Sequence, residues 1–423
     1  MKGTDAVAQA LLHCADRYYA VPGYPVTELA ARIGAEAVIN EKVGLEYALG
    51  DALQGRRAVC ILKNVGLNAC ADPLVNATTQ GVGAGVVIVA GDDIDVNASQ
   101  NAQDSRYYGE IAQVPVLEPD PATCQASVEE AFRASERFSR VALLRLTLPL
   151  LNADVQGDPP VRSPLPAALA PRELTMRGRV AYADHHLAGM FAWSRSSLLN
   201  RLQGGTAGAG AAGGSSRVVT VYPPPPGLDR FTAIHELGRP FLREHRWILP
   251  PGTPTAPETY ASRGHYRTFC PHCPFRAVMR ILAERKHSVV CDIGCSLLAM
   301  NPPYGIGVAS YGLGSSIAVA ARSTGIALCG DYALLHSGIN ALADVREKRI
   351  PLLCIVLKNK RLGFVGAGQA YDIDPYIAWS APLHISAQDE THLQEVLVSS
   401  DRMSVIVIEG VCPPGEKHET VEY

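Results

Sequence analysis

The stretch Gly330–Asn359, GDYALLHSGINALADVREKRIPLLCIVLKN, decides the fold. Gly330 and Asp331 follow an apolar run, IALC. An amphipathic segment comes next, and a second apolar run, PLLCIVL, stops just short of Asn359. This is the pattern of a strand, a crossover helix and a parallel strand. In an open parallel sheet both strands end on the same carboxyl-end crevice, where ligands bind. An acid at one strand end and a carboxamide at the other suit a hard cation such as Mg2+, whose octahedral shell is often completed by substrate phosphates. An ordinary βαβ unit with one polar residue at each strand end has the same pattern, so both readings stay open on these two positions alone.

Working outward, residues 266–423 carry FCPHCPFRAVMRILAERK, SVVCDIGCSLL, GIGVASYGLGSSIAVAARSTG and a last strand, SVIVIEG, which together read as an α/β sheet. In YGLGSS, Gly312, Gly314 and Ser315 form a turn whose glycines let backbone N–H groups approach phosphate oxygens. Residues 1–152 also alternate helix-like and strand-like segments, among them DAVAQALLHCADRY, RRAVCILKN, GAGVVIVAGDD, a helix over 122–140 and the strand VALLRLTL. That alternation argues a second doubly wound parallel sheet. Residues 153–265 differ: DPPVRSPLPAALAP, GGTAGAGAAGGSSR and VYPPPPG have linker composition. Within them HHLAGMFAWSRSSLLNRL predicts one helix and RVVTVY one strand, with a flexible loop near 204–216. The expectation is an α/β chain of two doubly wound parallel-sheet domains, 1–152 and 266–423, joined by a Pro/Gly-rich connector.

A chain of 423 residues exceeds what one compact core holds. A net charge of -3 gives no polyanion-binding bias and disfavours a nucleic-acid role. The apolar runs are short or broken by Gly and charge, so none spans a bilayer. The first residues, MKGTDAVAQALLHCADR, are amphipathic and unlike an export signal, and the expected compartment is the cytoplasm. Eleven cysteines are an odd count, which argues against disulfides and for metal or cluster ligation by any grouped subset. The CxxC at Cys270 and Cys273 alone fits a redox pair, half a zinc site or plain thiols. Cys14, Cys60, Cys70, Cys124, Cys329 and Cys354 lie on apolar segments and read as packing residues.

GYPVTE (23–28), NEKVGLEYALG (40–50), LKNVGLN (62–68), ADPLVN (71–76) and SQNAQDSRYYG (99–109) occur in one order with GDYALLHSGI, NALADV and IVLKN. This wording resembles the indolepyruvate:ferredoxin oxidoreductase α subunit and its 2-oxoacid:ferredoxin oxidoreductase relatives, which are thiamine-diphosphate enzymes. The resemblance implies a pyrimidine-binding domain over 1–152 and a diphosphate-binding domain over 266–423. It implies that Gly312, Gly314, Ser315, Gly330, Asp331 and Tyr332 meet the diphosphate. Asp331, Asn359 and the carbonyl of Arg361 would hold Mg2+. Glu41 would hydrogen-bond the aminopyrimidine ring and favour its reactive tautomer, although a solvated Glu paired with Lys42 or Lys63 is the plainer reading. Cys270, Cys273, Cys295 and Cys412 match the four ligands of a [4Fe–4S] cluster, with buried thiols or zinc as alternatives and Cys291 as a weak substitute ligand. His336 faces diphosphate or substrate, or is structural. Gln103 and Arg106 would bind a substrate carboxylate, or Arg106 is an interface charge.

The activity implied is oxidative decarboxylation of a 2-oxoacid, with electrons passing to the cluster and then to ferredoxin or another electron-transfer protein. Coenzyme A would take the acyl group, and a homo-oligomer with a small β- or γ-type subunit is expected. There are departures. No ferredoxin-type domain with paired CxxCxxCxxxCP runs is present, and the middle region is short. GYPVTE is shorter than the family's GYPGTPSSE, and Phe275 stands where relatives have His. These leave a non-oxidative decarboxylase and a non-catalytic subunit of a redox complex as rival readings.

Overall fold

The computed structural model describes residues 1–93, 98, 103–171, 175–197, 199, 220–221, 264–363 and 368–422. The chain divides into two compact units. The first comprises Met1–Ala48, Ala52–Leu169 and the described residues of Val180–Tyr260. The second comprises Leu49–Asp51, Ala170–Arg179 and Ala261–Tyr423.

The first unit is built on β1 (Arg17–Ala20), β2 (Glu36–Ala37), β3 (Ala58–Lys63), β4 (Val86–Asp92), β5 (Val116–Glu118), β6 (Ala142–Thr147) and β7 (Thr220–Val221). Their order across the sheet is β2-β1-β3-β4-β6-β5-β7. All pairs are parallel except β5 with β7. AVCIL in β3 and VVIVAGD in β4 are buried throughout, as strands covered on both faces must be. Arg57 is buried at the foot of β3 and is held by Glu129 Oε2 at 2.7 Å and Glu136 Oε1 at 2.6 Å.

The stretch read as a connector contains a 21-residue helix, Met176–Ser196, longer and earlier than the sequence predicts. Met190 and Trp193 bury in the first unit's core, and the Trp193 indole N–H donates to Glu130 at 2.7 Å. Pro and Gly at the flanks had masked this apolar face. Within RVVTVY, Thr220–Val221 form a strand, and its other residues and the loop at 204–216 lie outside the described residues.

The second unit is built on β9 (Val289–Cys291), β10 (Gly307–Ala309), β11 (Ile326–Gly330), β12 (Leu352–Lys358), β13 (Leu383–Ser386) and β14 (Met403–Glu409), in the order β10-β9-β11-β12-β14-β13 and all parallel. Gly330 pairs with Leu357, so the ends of β11 and β12 lie side by side, as the βαβ reading requires. A separate ribbon joins β8 (His265–Arg267) to β15 (Thr420–Glu422) in antiparallel register, tying the last described residues to the segment before the CxxC. No helix among the described residues is long and apolar enough to cross a membrane.

Candidate active site

Two adjacent strand ends make the centre of the site. β11 delivers Asp331 at the start of a short helix, and β12 delivers Asn359 one residue past its end. Asp331 is 2% exposed, and its carboxylate accepts from the backbone N–H of Tyr332 and of Lys360, each at 2.8 Å. Burial pushes this carboxyl up, against those backbone hydrogen bonds, which pull it down. Asn359 Oδ1 accepts from the Arg361 N–H at 3.1 Å, while its Nδ2 donates to Cys412 Sγ at 3.0 Å. Asp331 and the Asn359 carboxamide therefore stand at adjacent strand ends, offering hard oxygen donors of the kind Mg2+ takes.

The crossover helix begins irregularly. Leu334–Gly338 forms a π turn, a rare local geometry enriched at functional sites. His336 sits exposed in that turn with its ring 6.0 Å from that of Tyr332, itself 38% exposed. The YGLGSS loop packs on the same turn, where Ser337 donates to the Leu313 carbonyl. Gly314, at φ +83°, has no room for a Cβ beside Ser337 and Gly338.

Sequence reasoning missed what shapes this loop. Asp292, fully buried at the end of β9, accepts from the Gly314 N–H at 2.7 Å, and from the N–H and hydroxyl of Ser316 at 3.2 and 2.9 Å. The Ser315 N–H turns back to the Gly312 carbonyl. The amides at 314–316 are thus engaged within the chain. Gly314 and Ser315 therefore use their N–H groups to shape the turn. Asp292 was visible in CDIGCS, where the cysteines drew the attention.

Cys270, Cys273, Cys295 and Cys412 line one cavity of about 410 Å³ together with Asn359, Arg361, Phe269, Phe275 and His418. Cys270 and Cys273 stand on one tight turn, with the Cys273 N–H donating to the Cys270 carbonyl at 3.1 Å. Cys295 opens the turn after β9, following Gly294 at φ +115°. The tail after Cys412, held by the β8–β15 ribbon, also lines this cavity through Pro413, Glu416 and His418. Glu416 meets His272 at 2.5 Å, and Glu419 meets Arg276 at 2.6 Å. His418 brings Nε2 to 3.6 Å from Cys295 Sγ, a contact between residues 123 positions apart that no local pattern announced. Burial, aided by repulsion among the neighbouring thiols, pushes Cys273 and Cys295 up to about 12. Cys291 is buried in β9 and is not among the residues lining this cavity.

In the first unit, Glu41 begins the helix Glu41–Leu53, capped by Asn40 accepting from the Val43 N–H at 2.9 Å. Its carboxyl lies over Gly66, where a Cβ would come within 2.8 Å of Cδ. Lys42 is bonded instead to Glu46 at 2.9 Å and Asp72 at 3.0 Å. Gln103 clasps the Asn64–Cys70 turn, accepting from Asn68 at 2.9 Å and donating to the Asn64 carbonyl at 2.8 Å. Arg106 is buried, with its guanidinium on Asp104 and, at 2.7 Å, on Glu118. Asp104 and Glu118 also face Arg145, within a buried ion network. This is a correction to the carboxylate-binding reading: carboxylates of the chain itself hold Arg106.

The family model "Thiamine pyrophosphate enzyme, C-terminal TPP binding domain" matches residues 276–378, which contain the Asp331–Asn359 strand ends and Asp292. The IorA subunit of indolepyruvate oxidoreductase from Methanothermobacter thermautotrophicus is 25% identical over 447 aligned residues, covering 82% of this chain and 72% of that one. The chain is thus similar to IorA subunits along most of its length and to thiamine pyrophosphate enzymes over 276–378. Two further relatives match at higher identity over shorter stretches. The IorA subunit from Thermococcus kodakarensis is 38% identical over 167 residues, 37% of this IorA-like chain and 26% of its relative. That from Archaeoglobus fulgidus is 36% identical over 164 residues, 34% and 25%. The fold also matches a crystal structure from Mycobacterium smegmatis, described as a thiamin diphosphate-dependent enzyme. The TM-score is 0.59 and the identity 15%, over 97% of this chain and all of that one.

Proposed function

We propose that this chain is a thiamine-diphosphate- and Mg2+-dependent oxidoreductase that decarboxylates a 2-oxoacid and sends the electrons through a [4Fe–4S] cluster to ferredoxin or another electron-transfer protein. The observation that carries the reading is Asn359. It stands at the strand end that faces Asp331 and also lines the four-cysteine cavity, bonded to Cys412. A metal-anchored coenzyme and an electron acceptor would therefore be neighbours.

The donor sets fit the groups. Asp331 and Asn359 side chains with the Arg361 carbonyl offer hard oxygens for Mg2+. Burial that raises the Asp331 carboxyl is the cost a divalent cation would remove. Burial raises the Cys270, Cys273 and Cys295 thiols, a cost of ionisation that cationic iron would likewise offset. Among the described residues, Asp374, His384 and Glu409 are the grouping whose ligand atoms all fall within 4.8 Å. Four thiolate donors around one cavity suit an iron–sulfur cluster, which takes one thiolate on each iron.

Bound thiamine diphosphate supplies the carbon centre that accepts the 2-oxo group and the ring that takes up the electron pair left by CO2. The chain's residues hold and protect it. Asp331 and Asn359 would hold the metal, Asp292 sets the loop packed against the π turn, and Glu41 would hold the proton at the aminopyrimidine nitrogen. Coenzyme A as co-substrate, an oligomer with a small partner subunit, and a cytoplasmic location belong to the same reading.

Anaerobic purification with iron and sulfide analysis tests the oxidative arm, and about four of each per chain is expected. Thiamine diphosphate titration with and without Mg2+ tests the other. A colourless, iron-free protein that binds the coenzyme would instead be a non-oxidative decarboxylase, and one that binds neither would be a non-catalytic subunit.

A further inference from the structure

We infer that Asn359 couples the coenzyme's metal to the reduction state of the thiol-bound cluster, through the two ends of one carboxamide. The inference rests on the function proposed above and concerns how its two halves communicate. Asn359 orientation is set by its neighbours. The Arg361 N–H can only donate, so it requires Oδ1 on its side, and that turns Nδ2 toward Cys412 Sγ at 3.0 Å. The same residue lines the cysteine cavity, and Gly363, whose Cβ would lie 3.7 Å from both Asn359 Nδ2 and Cys295 Sγ, leaves that approach open.

A cation drawing on Oδ1 would polarise the amide and make Nδ2–H a stronger donor, because linked hydrogen bonds reinforce one another. An N–H donor to a ligating sulfur stabilises the more electron-rich, reduced cluster. Coenzyme with Mg2+ should therefore raise the cluster's potential. By reciprocity, the reduced protein should bind coenzyme with Mg2+ more tightly, by the same factor. Asn359 is then a positioning residue acting on the cluster through Cys412, in addition to serving the metal.

The test uses the full chain, purified anaerobically, with potentiometric titration of the cluster signal before and after saturation with thiamine diphosphate and Mg2+. The expected result is an upward shift, each tenfold change in affinity matching about 59 mV for a one-electron centre. Asn359→Asp keeps an oxygen for the metal and removes the N–H. Its cluster should start at a lower potential and lose most of the coenzyme-induced shift. A shift of wild-type size in Asn359→Asp would mean a through-space charge effect and would overturn the inference, as would an unmoved wild-type potential. If the variant folds poorly, wild-type coenzyme affinity in the oxidised and reduced states decides alone, and equal affinities refute the coupling. Absence of iron altogether would sink the proposed function, and this inference with it.

Discussion

Asp292 and Gly314 are joined by a 2.7 Å hydrogen bond from the glycine N–H to a fully buried carboxylate, across 22 residues of chain. Burial dominates this carboxyl and pushes it up to about 6 from an ordinary 3.8. The folded chain thus holds the Asp292 proton more tightly than the unfolded chain does. The group's stabilising contribution is present in full below the ordinary value and is lost as pH rises to about 6. The span corresponds to about 3 kcal/mol. Asp292→Asn should lose this pH dependence while costing about 1–3 kcal/mol from a mismatched acceptor. Unfolding free energies of both proteins across that range measure it, and a pH-independent difference between them would count against the assignment.

Gly66→Ala should displace Glu41, since the new Cβ would fall on its carboxyl. Turnover should drop at least about tenfold (1.4 kcal/mol) with the fold kept. Glu41→Gln should bind thiamine diphosphate yet turn over poorly. Coenzyme affinity and kcat, measured separately, check both, and unchanged turnover in either variant contradicts the role given to Glu41.

Asp331→Ala should lose Mg2+-dependent coenzyme binding by at least about tenfold (1.4 kcal/mol). Calorimetric titration with and without the metal is the readout, and wild-type affinity in the variant would overturn the metal assignment.

Cys295→Ala should reduce bound iron, whereas Cys124→Ala, at a buried helix position in the other unit, should leave the iron content unchanged. Iron and sulfide analysis of the two proteins distinguishes a cluster site from buried thiols that share a cavity.

Glu136→Ala should cost about 3–5 kcal/mol, because it strips a bidentate partner from the buried Arg57 and leaves a charge in the core. Denaturant unfolding measures the loss. A change below about 1 kcal/mol would show that Glu129 alone compensates.

The parallel β11 and β12, and the meeting of Asp331 with Asn359, were legible because they follow from hydrophobic period and a short crossover, both local properties of one segment. The four cysteines were grouped through the family resemblance alone, since residue type left the CxxC open among a redox pair, half a zinc site and plain thiols. Arg106 was not. An isolated Arg gives no sign of whether a ligand or the chain's own acids will hold it, and here Asp104 and Glu118 do. The helix Met176–Ser196 was obscured by the Pro and Gly around it, because composition weighs a window while packing depends on one face.

The sequence by itself determined the alternation of strands and helices, the acid and carboxamide at two neighbouring strand ends, and the thiol inventory. These depend on side-chain periodicity and chemical type within short windows. Only the tertiary structure decided that Asp292 shapes the glycine loop, that the tail brings His418 to Cys295, and that Asn359 touches both the strand-end acid's surroundings and Cys412. Such contacts join residues far apart in the chain, and their geometry is set by how buried polar groups find partners once the core has closed.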